Sequence, residues 1–248
     1  MQNRIALITG ANQGVGFQVA KELVAAGVTV LLGSRDAAKG EAAAAEIGAI
    51  PIEIDIADAA SIAAATERIR NEYGRLDLLV NNAAISKTVQ RVLGSADYEA
   101  HSKASNVDLD EMRTVWETNV FGTLAVYQAM LPLLRVSPDA RIVNVSSGQG
   151  SLGTNADPSY QYYGMYGPIY AASKTALNGI TLAMMIELKG TGIKVNLVSP
   201  AFTATNLNGF AGVESVEDGS REVVRVALLG PDGPTDTFTR WENTPIPW

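Results

Sequence analysis

The sequence predicts an α/β fold with a doubly wound parallel sheet, and two observations support this fold class. Short apolar runs rich in β-branched residues alternate with longer segments of helical spacing. The apolar runs are almost continuous, which is typical of strands buried on both faces of a parallel sheet. Right-handed crossovers then place helices on both faces. Since 248 residues suffice for one large domain and hardly for two, we predict a single domain over residues 1–248 with about seven strands.

Most elements can be placed from these patterns. The predicted strands are residues 4–9, 28–33, 50–55, 77–82, 141–146 and 193–199. The predicted helices are residues 15–26, 36–47, 59–73, 109–135 and 170–189. Asp108, with Glu111 three residues later, forms a capping pattern before the fourth helix. Small and polar residues at 201–220 predict a mobile substrate lid, and residues 230–248 offer at most one short further strand.

Composition limits the classes of function. A hydrophobic fraction of 47%, a charged fraction of 18% and a mean hydropathy of +0.09 are ordinary for a soluble globular protein. The net charge of −7 argues against a nucleic-acid partner. No apolar stretch approaches the roughly 18 residues of a membrane helix, so no membrane partner is predicted. The first residues lack the pattern of a signal peptide, and we therefore predict a cytoplasmic protein.

Cysteine and histidine content narrows the chemistry. The absence of cysteine excludes disulfides, thiolate metal sites and cysteine nucleophiles. The single histidine, His101, cannot form a histidine metal cluster, so no metal is predicted. A Ser/His/Asp triad would depend on His101. This residue lies in the polar segment SADYEAHSKASN and is better explained as an exposed loop residue.

The segment ITGANQGVG follows the first predicted strand and opens the first predicted helix. It places Gly10, Gly14 and Gly16 where missing side chains allow a pyrophosphate to approach the backbone at the helix N-terminus. Because ligands of doubly wound sheets bind beyond the carboxyl ends of the strands, this turn is a candidate dinucleotide site. The spacing is GxxxGxG, and a purely structural turn is the alternative.

The turn after the second predicted strand bears on the choice between NAD and NADP. A carboxylate at this point binds the adenosine 2'-hydroxyl, whereas an arginine neutralises a 2'-phosphate. The segment LLGSRD presents Ser34 and Arg35, and Asp36 is better explained as the start of the next helix. We therefore predict NADP, with a solvated surface arginine as the alternative.

Five of the eight tyrosines lie in the segment SYQYYGMYGPIYAASK, residues 159–174. A tyrosine that exchanges a proton near neutral pH needs a nearby cation, because its ordinary pKa is about 10. Among the five, Tyr170 has one, since Lys174 follows at i+4 on the same helix face. The others are expected to form a substrate wall and lid or, equally, to pack a surface loop; they are Tyr160, Tyr162, Tyr163 and Tyr166.

Five motifs follow one another along the chain: TGANQGVG, NNAAI, TNVFG, NVSS and YAASK. In these motifs the sequence closely resembles the short-chain dehydrogenase/reductase family in its single-domain form, over roughly residues 4–207. The resemblance implies a Rossmann fold and a catalytic tetrad of Asn119, Ser147, Tyr170 and Lys174. The segment SRDAAKGEAAAAE is also similar to carbonyl reductases and menthone-type reductases.

Chemical roles for the tetrad follow from this resemblance. Tyr170 would supply a proton to the carbonyl oxygen as hydride reaches the carbon, and Ser147 would hold that oxygen. Lys174 would bind ribose hydroxyls and lower the pKa of Tyr170. Asn119 would hold a relay water, and the alternative is an asparagine that the helix merely tolerates.

Cofactor contacts are implied at the ends of several strands. The residues are Gly10, Asn12, Gln13, Gly14, Val15, Gly16, Ser34, Arg35, Asp55, Ile56, Asn82, Ala83, Tyr170, Lys174, Pro200, Thr203 and Thr205. The pair after the third strand would lie near the adenine, and the two threonines near the nicotinamide amide. Ala84 and Ala201 stand where the family usually has glycine, and each adds one methyl group near the cofactor.

The sequence, with this resemblance, predicts an NADP(H)-dependent reductase of a moderately apolar ketone or aldehyde. The alternatives are an NAD-dependent secondary alcohol dehydrogenase and a non-catalytic protein that senses NADP(H). The expected partners are a small-molecule substrate and further copies of the chain, which would form a dimer or tetramer through helices 109–135 and 170–189. Residues 86–107 and 150–169 exceed the family core and are expected to overhang the active site.

Overall fold

The structure is a computed structural model that describes residues 4–87 and 103–248, so His101 and most of the predicted overhang at 86–107 lie outside the described residues. One sheet within this part of the chain has eight strands, in the order β3-β2-β1-β4-β5-β6-β7-β8. The strands are β1 (Ile5–Ile8), β2 (Thr29–Ser34), β3 (Ile50–Glu53), β4 (Leu78–Asn81), β5 (Arg141–Val145), β6 (Lys194–Val198), β7 (Thr237–Arg240) and β8 (Thr244–Pro245).

Strands β1 to β7 are parallel, and β8 runs antiparallel to β7. The predicted doubly wound parallel sheet is therefore confirmed, with one strand more than expected. The winding reverses between β1 and β4, which are neighbours in the sheet. The turns after these two strands consequently lie side by side, at the point where such sheets bind ligands.

Helices connect the strands in the predicted alternation. They are α1 (Gly14–Ala25), α2 (Ala37–Ile47), α3 (Ala59–Tyr73), α4 (Leu109–Trp116), α5 (Thr123–Leu134), α6 (Leu152–Asn155), α7 (Tyr170–Glu187) and α8 (Val216–Ala227). The side chains of Asp36, Asp58 and Asp108 accept backbone N–H groups in the first turns of α2, α3 and α4, respectively. Left-handed Gly48 and Gly74, with φ of 73° and 70°, end α2 and α3.

Two apolar layers cover the two faces of the sheet. Because successive strand residues point to opposite faces, Leu7 packs in the layer of α3, α5 and α7, whereas Ile8 packs in the layer of α1, α2 and α8. Both side chains are fully buried. This double burial holds the carboxyl ends of the strands as a fixed platform for the turns that follow them.

Two parts of the chain differ from the sequence prediction. The predicted helix 109–135 contains a π-helical turn at Glu117–Gly122, which separates α4 from α5. The predicted lid at 201–220 overlaps α8, because Ser215 accepts from Asp218 N and begins an ordered helix at Val216. Residues that pack this helix against the sheet, such as Val223, are fully buried. Residues 216–220 form the start of this helix, and of these Gly219 and Ser220 are buried.

Candidate active site

The glycine-rich turn after β1 packs closely against the turn after β4. Gly10 and Gly14 have φ of 62° and 59°, a region that favours glycine. A Cβ atom at Gly10 would lie 2.8 Å from Ala83 Cα, and one at Gly16 would lie 2.3 Å from Asn82 Nδ2. Gly10 and Gly16 are therefore required for the contact between the two turns, whatever they also contribute to phosphate binding.

Asn82 fastens these turns together. Its Nδ2 donates to the carbonyl oxygens of Thr9 and Gly10, both at 3.0 Å. The Thr9 hydroxyl oxygen in turn accepts from the backbone N–H groups of Asn82 and Ala83, both at 3.1 Å. In this structure the side chain of Asn82, predicted as a nucleotide contact, holds the backbone that would carry the nucleotide.

The N-terminus of α1 is open to an external anion. Its N-cap residue, Gln13, makes no side-chain capping hydrogen bond, and the first turn holds no acidic residue. Helices α2, α3, α4 and α8 are instead capped by side chains from within the described residues. The first N–H groups of α1 are thus available to a phosphate acceptor, and a pyrophosphate fits this turn.

The turn after β2 presents one free cation. Arg35 is exposed and has no hydrogen bond or ion pair with any other described residue. Asp36 caps α2 and also binds Lys39 Nζ at 2.8 Å, which with the backbone of Lys39 holds the pKa of Asp36 below its usual value. Ser34 is buried, and its hydroxyl donates to the Asp36 carbonyl at 2.8 Å. Asp36 therefore starts the helix, as the sequence indicated.

A cavity of about 310 Å³ lies beside this turn, between α1 and α2. Its lining residues are Asn12, Gln13, Phe17, Lys39, Ala42, Ala43 and Glu46. It brings Asn12 and Gln13, both predicted as cofactor contacts, to the same end of the sheet as the β2 turn.

The two residues predicted near the adenine, Asp55 and Ile56, make contacts within the fold. Asp55 Oδ1 accepts from Ala57 N at 3.0 Å, which shapes the turn after β3. Ile56 is 6% exposed, and a Cβ atom at Gly122 would lie 2.6 Å from its carbonyl oxygen. Ile56 therefore supports the π-helical turn that contains Asn119.

Asn119 is buried in that π-helical turn, a local geometry that is frequent at functional sites. Its Oδ1 accepts from Ile85 N, and its Nδ2 donates to Ile85 O, both at 2.9 Å. The same Nδ2 group donates to Ser173 Oγ at 3.0 Å. Both amide donors thus bind protein groups, and Asn119 joins the turn after β4 to α7.

Ser147, Tyr170 and Lys174 converge at the end of β5. Ser147 follows the strand, and Tyr170 is the first residue of α7. Lys174 Nζ lies 5.8 Å from the centroid of the Tyr170 ring and donates to Val145 O at 2.8 Å. The Ser147 hydroxyl is close enough to Tyr170 to lower its pKa through hydrogen bonding. Three members of the predicted tetrad therefore form one cluster.

Burial shifts the pKa of both ionisable groups toward the neutral form. It raises the pKa of Tyr170 to about 12, and the hydrogen bond with Ser147 only partly counteracts this. It lowers the pKa of Lys174 to about 7. The sequence argument expected Lys174 to lower the pKa of Tyr170, but in the structure desolvation dominates. Tyr170 is consequently a protonated donor at neutral pH.

The segment after β6 lies across the cofactor end of the sheet. Thr205 is 9% exposed, and its Cγ2 atom would lie 3.5 Å from a Cβ atom at Gly14. The hydroxyl of Ser86, after β4, donates to Leu207 O at 2.5 Å. Thr203 is also buried and pairs with Glu214. Pro200 is half-buried at the start of this segment.

Aromatic rings connect this segment to the residues before α7. The Tyr162 ring lies 6.3 Å from that of Phe202 and meets Tyr160 edge-on at 5.6 Å. Tyr163 is half exposed. Tyr166 differs, because its hydroxyl lies 3.0 Å from Thr175 Oγ1 of α7. The structure thus separates a ring cluster, at Tyr160 and Tyr162, from a tyrosine that packs on the helix.

The family model for short chain dehydrogenases matches residues 4–212. The chain belongs to this family. The family consists of oxidoreductases, and one related structure, a 3-ketoacyl-(acyl-carrier-protein) reductase from Brucella melitensis, was solved in complex with NADH. Within the described residues, no helix is both long and apolar enough to cross a bilayer. No group of three or more potential metal ligands occurs there either.

Several related proteins align with nearly the whole length of this chain. The short-chain dehydrogenase anuI of Penicillium roqueforti is 38% identical, over 97% of this chain and 95% of its own. The (+)-neomenthol dehydrogenase of Arabidopsis thaliana is 30% identical, over 91% and 92%. Salutaridine reductase from Papaver somniferum superposes with a TM-score of 0.78 at 25% identity, over 95% of this chain and 99% of that one.

Sequence reasoning missed several groups that shape this short-chain dehydrogenase site. The hydroxyl of Ser173 accepts a hydrogen bond from Asn119, and the carbonyl oxygen of Val145 accepts one from Lys174 Nζ. Ser173 stands inside the YAASK motif, so the motif itself carried a signal for it. The carbonyl of Val145 could not be found in this way, because a backbone acceptor has no side-chain signature.

Proposed function

We propose that this short-chain dehydrogenase is an NADP(H)-dependent reductase of a moderately apolar ketone or aldehyde. The observation that carries the proposal is the cluster of Ser147, protonated Tyr170 and buried Lys174, at the carboxyl end of the sheet beside the glycine-rich turn. A hydroxyl pair of this kind can bind a carbonyl oxygen and protonate it as negative charge develops.

Each residue then has a distinct chemical role. The nicotinamide cofactor would supply or accept the hydride. The Ser147 hydroxyl would donate a hydrogen bond to the substrate oxygen, and the Tyr170 hydroxyl would transfer its proton to the same atom. Lys174, charged once it meets the ribose hydroxyls, would stabilise the resulting tyrosinate. Asn119 would keep the turn after β4 and α7 in fixed relation through its hydrogen bonds to Ile85 and Ser173.

The NADP preference rests on Arg35. Its guanidinium is exposed and free of partners among the described residues, and Asp36 is already engaged by Lys39. An arginine can bind a 2'-phosphate with two parallel hydrogen bonds. The competing assignment is an NAD-dependent secondary alcohol dehydrogenase. It would require Asp36 to leave Lys39 and the α2 N-terminus in order to reach a ribose hydroxyl.

The substrate class rests on the ring cluster. Tyr160, Tyr162 and Phe202 offer apolar ring faces, and Phe202 belongs to the segment that follows β6. The similarity to a neomenthol dehydrogenase and a salutaridine reductase supports a substrate of apolar character. A dimer or tetramer and a cytoplasmic location complete the proposal. Leu182 and Ile186 on α7 are 46% and 67% exposed, which suits contact with a second copy.

Oxidation of cofactor by the purified protein tests this function. Absorbance at the NADPH band would be followed with a panel of cyclic and acyclic ketones, and each assay repeated with NADH. We expect turnover that is faster with NADPH. Turnover with NADH alone would favour the alcohol dehydrogenase. Tight NADPH binding without turnover on any carbonyl compound or alcohol would favour a cofactor-sensing protein.

A further inference from the structure

The segment of residues 244–248 folds back along the edge of the sheet. Its first two residues form β8, the antiparallel strand on β7. Ile246 N then donates to Phe238 O at 2.8 Å, which extends the pairing by one residue. The ring of Trp248 packs on that of Phe238 with a centroid distance of 5.9 Å. The segment is therefore held to β7 by both backbone and side-chain contacts.

Beyond the sheet, the 244–248 segment binds the one-turn helix α6. Ser151, which is fully buried, donates from Oγ to Pro247 O at 2.5 Å. Gly153 N donates to Trp248 O at 2.9 Å. A Cβ atom at Gly153 would lie 2.9 Å from Pro247 Cβ, so a glycine is needed for this approach. Two hydrogen bonds and a close backbone contact thus connect sequence positions nearly one hundred residues apart.

Helix α6 in turn binds the turn that carries Ser147. Asn155, at the end of α6, is 6% exposed and donates from Nδ2 to Gly148 O at 2.9 Å. The same amide donates to Ser151 O at 2.7 Å, within the helix. Gly148 is the residue directly after Ser147. Contacts of the 244–248 segment therefore reach the active-site serine through one short helix.

The other side of the same turn is held by α7. Asn178 Nδ2 donates to Gly150 O at 3.0 Å, and Asn178 Oδ1 accepts from the Ser146 hydroxyl at 2.5 Å. A Cβ atom at Gly150 would lie 2.9 Å from the carbonyl carbon of Lys174. The turn is thus clamped between two helices. Of these, α7 is long and packed in the core, whereas α6 has four residues.

We propose that the 244–248 segment is a positioning element of the active site. A four-residue helix does not hold its place through its own hydrogen bonds. The segment supplies the missing support through Ser151 and Gly153, and α6 then fixes the position of Ser147. The inference rests on the proposed function, because it assigns Ser147 to the substrate oxygen. The effect is exerted on catalysis and leaves the glycine-rich turn and the binding of NADPH unchanged.

Two variants on α6 and a matched control test this inference. Ser151→Ala removes the donor to Pro247 together with the α6 N-cap, which accepts from Thr154 N. Gly153→Ala forces the segment away from α6 and leaves that cap in place. Gly230→Ala, at an exposed position after α8, is the control, since a Cβ atom there has no neighbour within 4 Å. For each protein, kcat, KM, NADPH affinity by fluorescence, and hydrogen exchange of residues 147–155 would be measured.

Both α6 variants should lower kcat by between about fivefold and a hundredfold, the range from one lost hydrogen bond to a misplaced reacting group. NADPH affinity should stay within about twofold, because the contacts altered are remote from the glycine-rich turn. Exchange at 147–155 should rise, and Gly230→Ala should match the original protein. The exchange result does not depend on turnover, so it remains decisive if no substrate is found and the proposed function fails.

Unchanged exchange at 147–155 in both variants would overturn the inference. So would a parallel loss of kcat, NADPH affinity and melting temperature, which would show a general structural role. An equal loss of kcat in Gly230→Ala would overturn it as well. Deletion of residues 246–248 provides an independent variant, with the same expected pattern as Ser151→Ala.

Discussion

Replacing Lys174 by methionine is expected to stabilise the cofactor-free protein while it abolishes turnover. Lys174 is 3% exposed, and burial lowers its pKa from 10.5 to about 7. Between these values the unfolded chain holds a proton that the folded chain has released. The free energy of unfolding of the original protein therefore rises with pH across this window. At pH 7 and below, the buried ammonium group costs roughly 4–5 kcal/mol.

One interaction offsets part of this gain. Lys174 Nζ donates to Val145 O at 2.8 Å, and methionine would leave that buried carbonyl without its donor. Such a loss costs about 1 kcal/mol. The net stabilisation at pH 7 should be about 3–4 kcal/mol, which for a chain of this length raises the melting temperature by roughly 6–16 °C. The gain should shrink as the pH approaches 10.5, the value of the unfolded lysine.

Urea unfolding at several pH values between 6 and 9.5 measures this difference. Lys189→Met, at an exposed lysine just beyond α7, is the control and should follow the original protein. We expect the Lys174→Met and original curves to converge as the pH rises. Parallel curves, or a variant that is less stable at pH 7, would refute the reasoning, because the ammonium group would then carry no net burial cost.

Three further predictions concern the reaction and the cofactor. Tyr170→Phe should lower kcat by about 10²–10⁴-fold while NADPH affinity is retained. Tyr162→Phe should change kcat by less than about tenfold. Steady-state kinetics with the reverse order would disprove the assignment of Tyr170 as the proton donor. Arg35→Ala should weaken NADPH binding by about tenfold to a hundredfold and leave NADH binding unchanged, as fluorescence titration would show. Chymotrypsin should cut at the 68% exposed Phe210 more slowly when NADPH is present. Equal rates in both states would contradict the predicted lid at 201–220.

The parts of the fold that the sequence predicted are those with local patterns. The strands that became β1, β2, β4, β5 and β6 are mostly apolar runs, and their burial on both faces produces this pattern. Asp36 and Asp108 were interpreted as helix starts because a capping carboxylate acts within three residues of its own position. Local interactions of this kind are visible without the fold.

The parts that were missed depend on distant residues. Helix α8 follows a polar segment, and its apolar side is recognisable only where it packs against β5 and β6. The function of Asn82 as a clamp requires Gly16 to pass directly beside it. The raised pKa of Tyr170 reflects burial, which no i+4 spacing reveals. Ser151 and Pro247 likewise meet only in the folded chain.

The π-helical turn at Glu117–Gly122 joins α4 and α5 into one continuous helix and rotates the side chains of α5 relative to those of α4. On the α4 side, the rotation allows Asn119 of the π-helical turn to contact Ile85 and Ser173. On the α5 side, it directs the apolar stripe that includes Val126 and Met130 into the core. Removing one residue between them would leave a regular helix but turn one half by about 100° against the other. Such a helix could keep either the Asn119 amide contacts or the burial of Val126 and Met130, but not both. Single-residue deletions at this turn should therefore impair either the active-site geometry or the packing of the core.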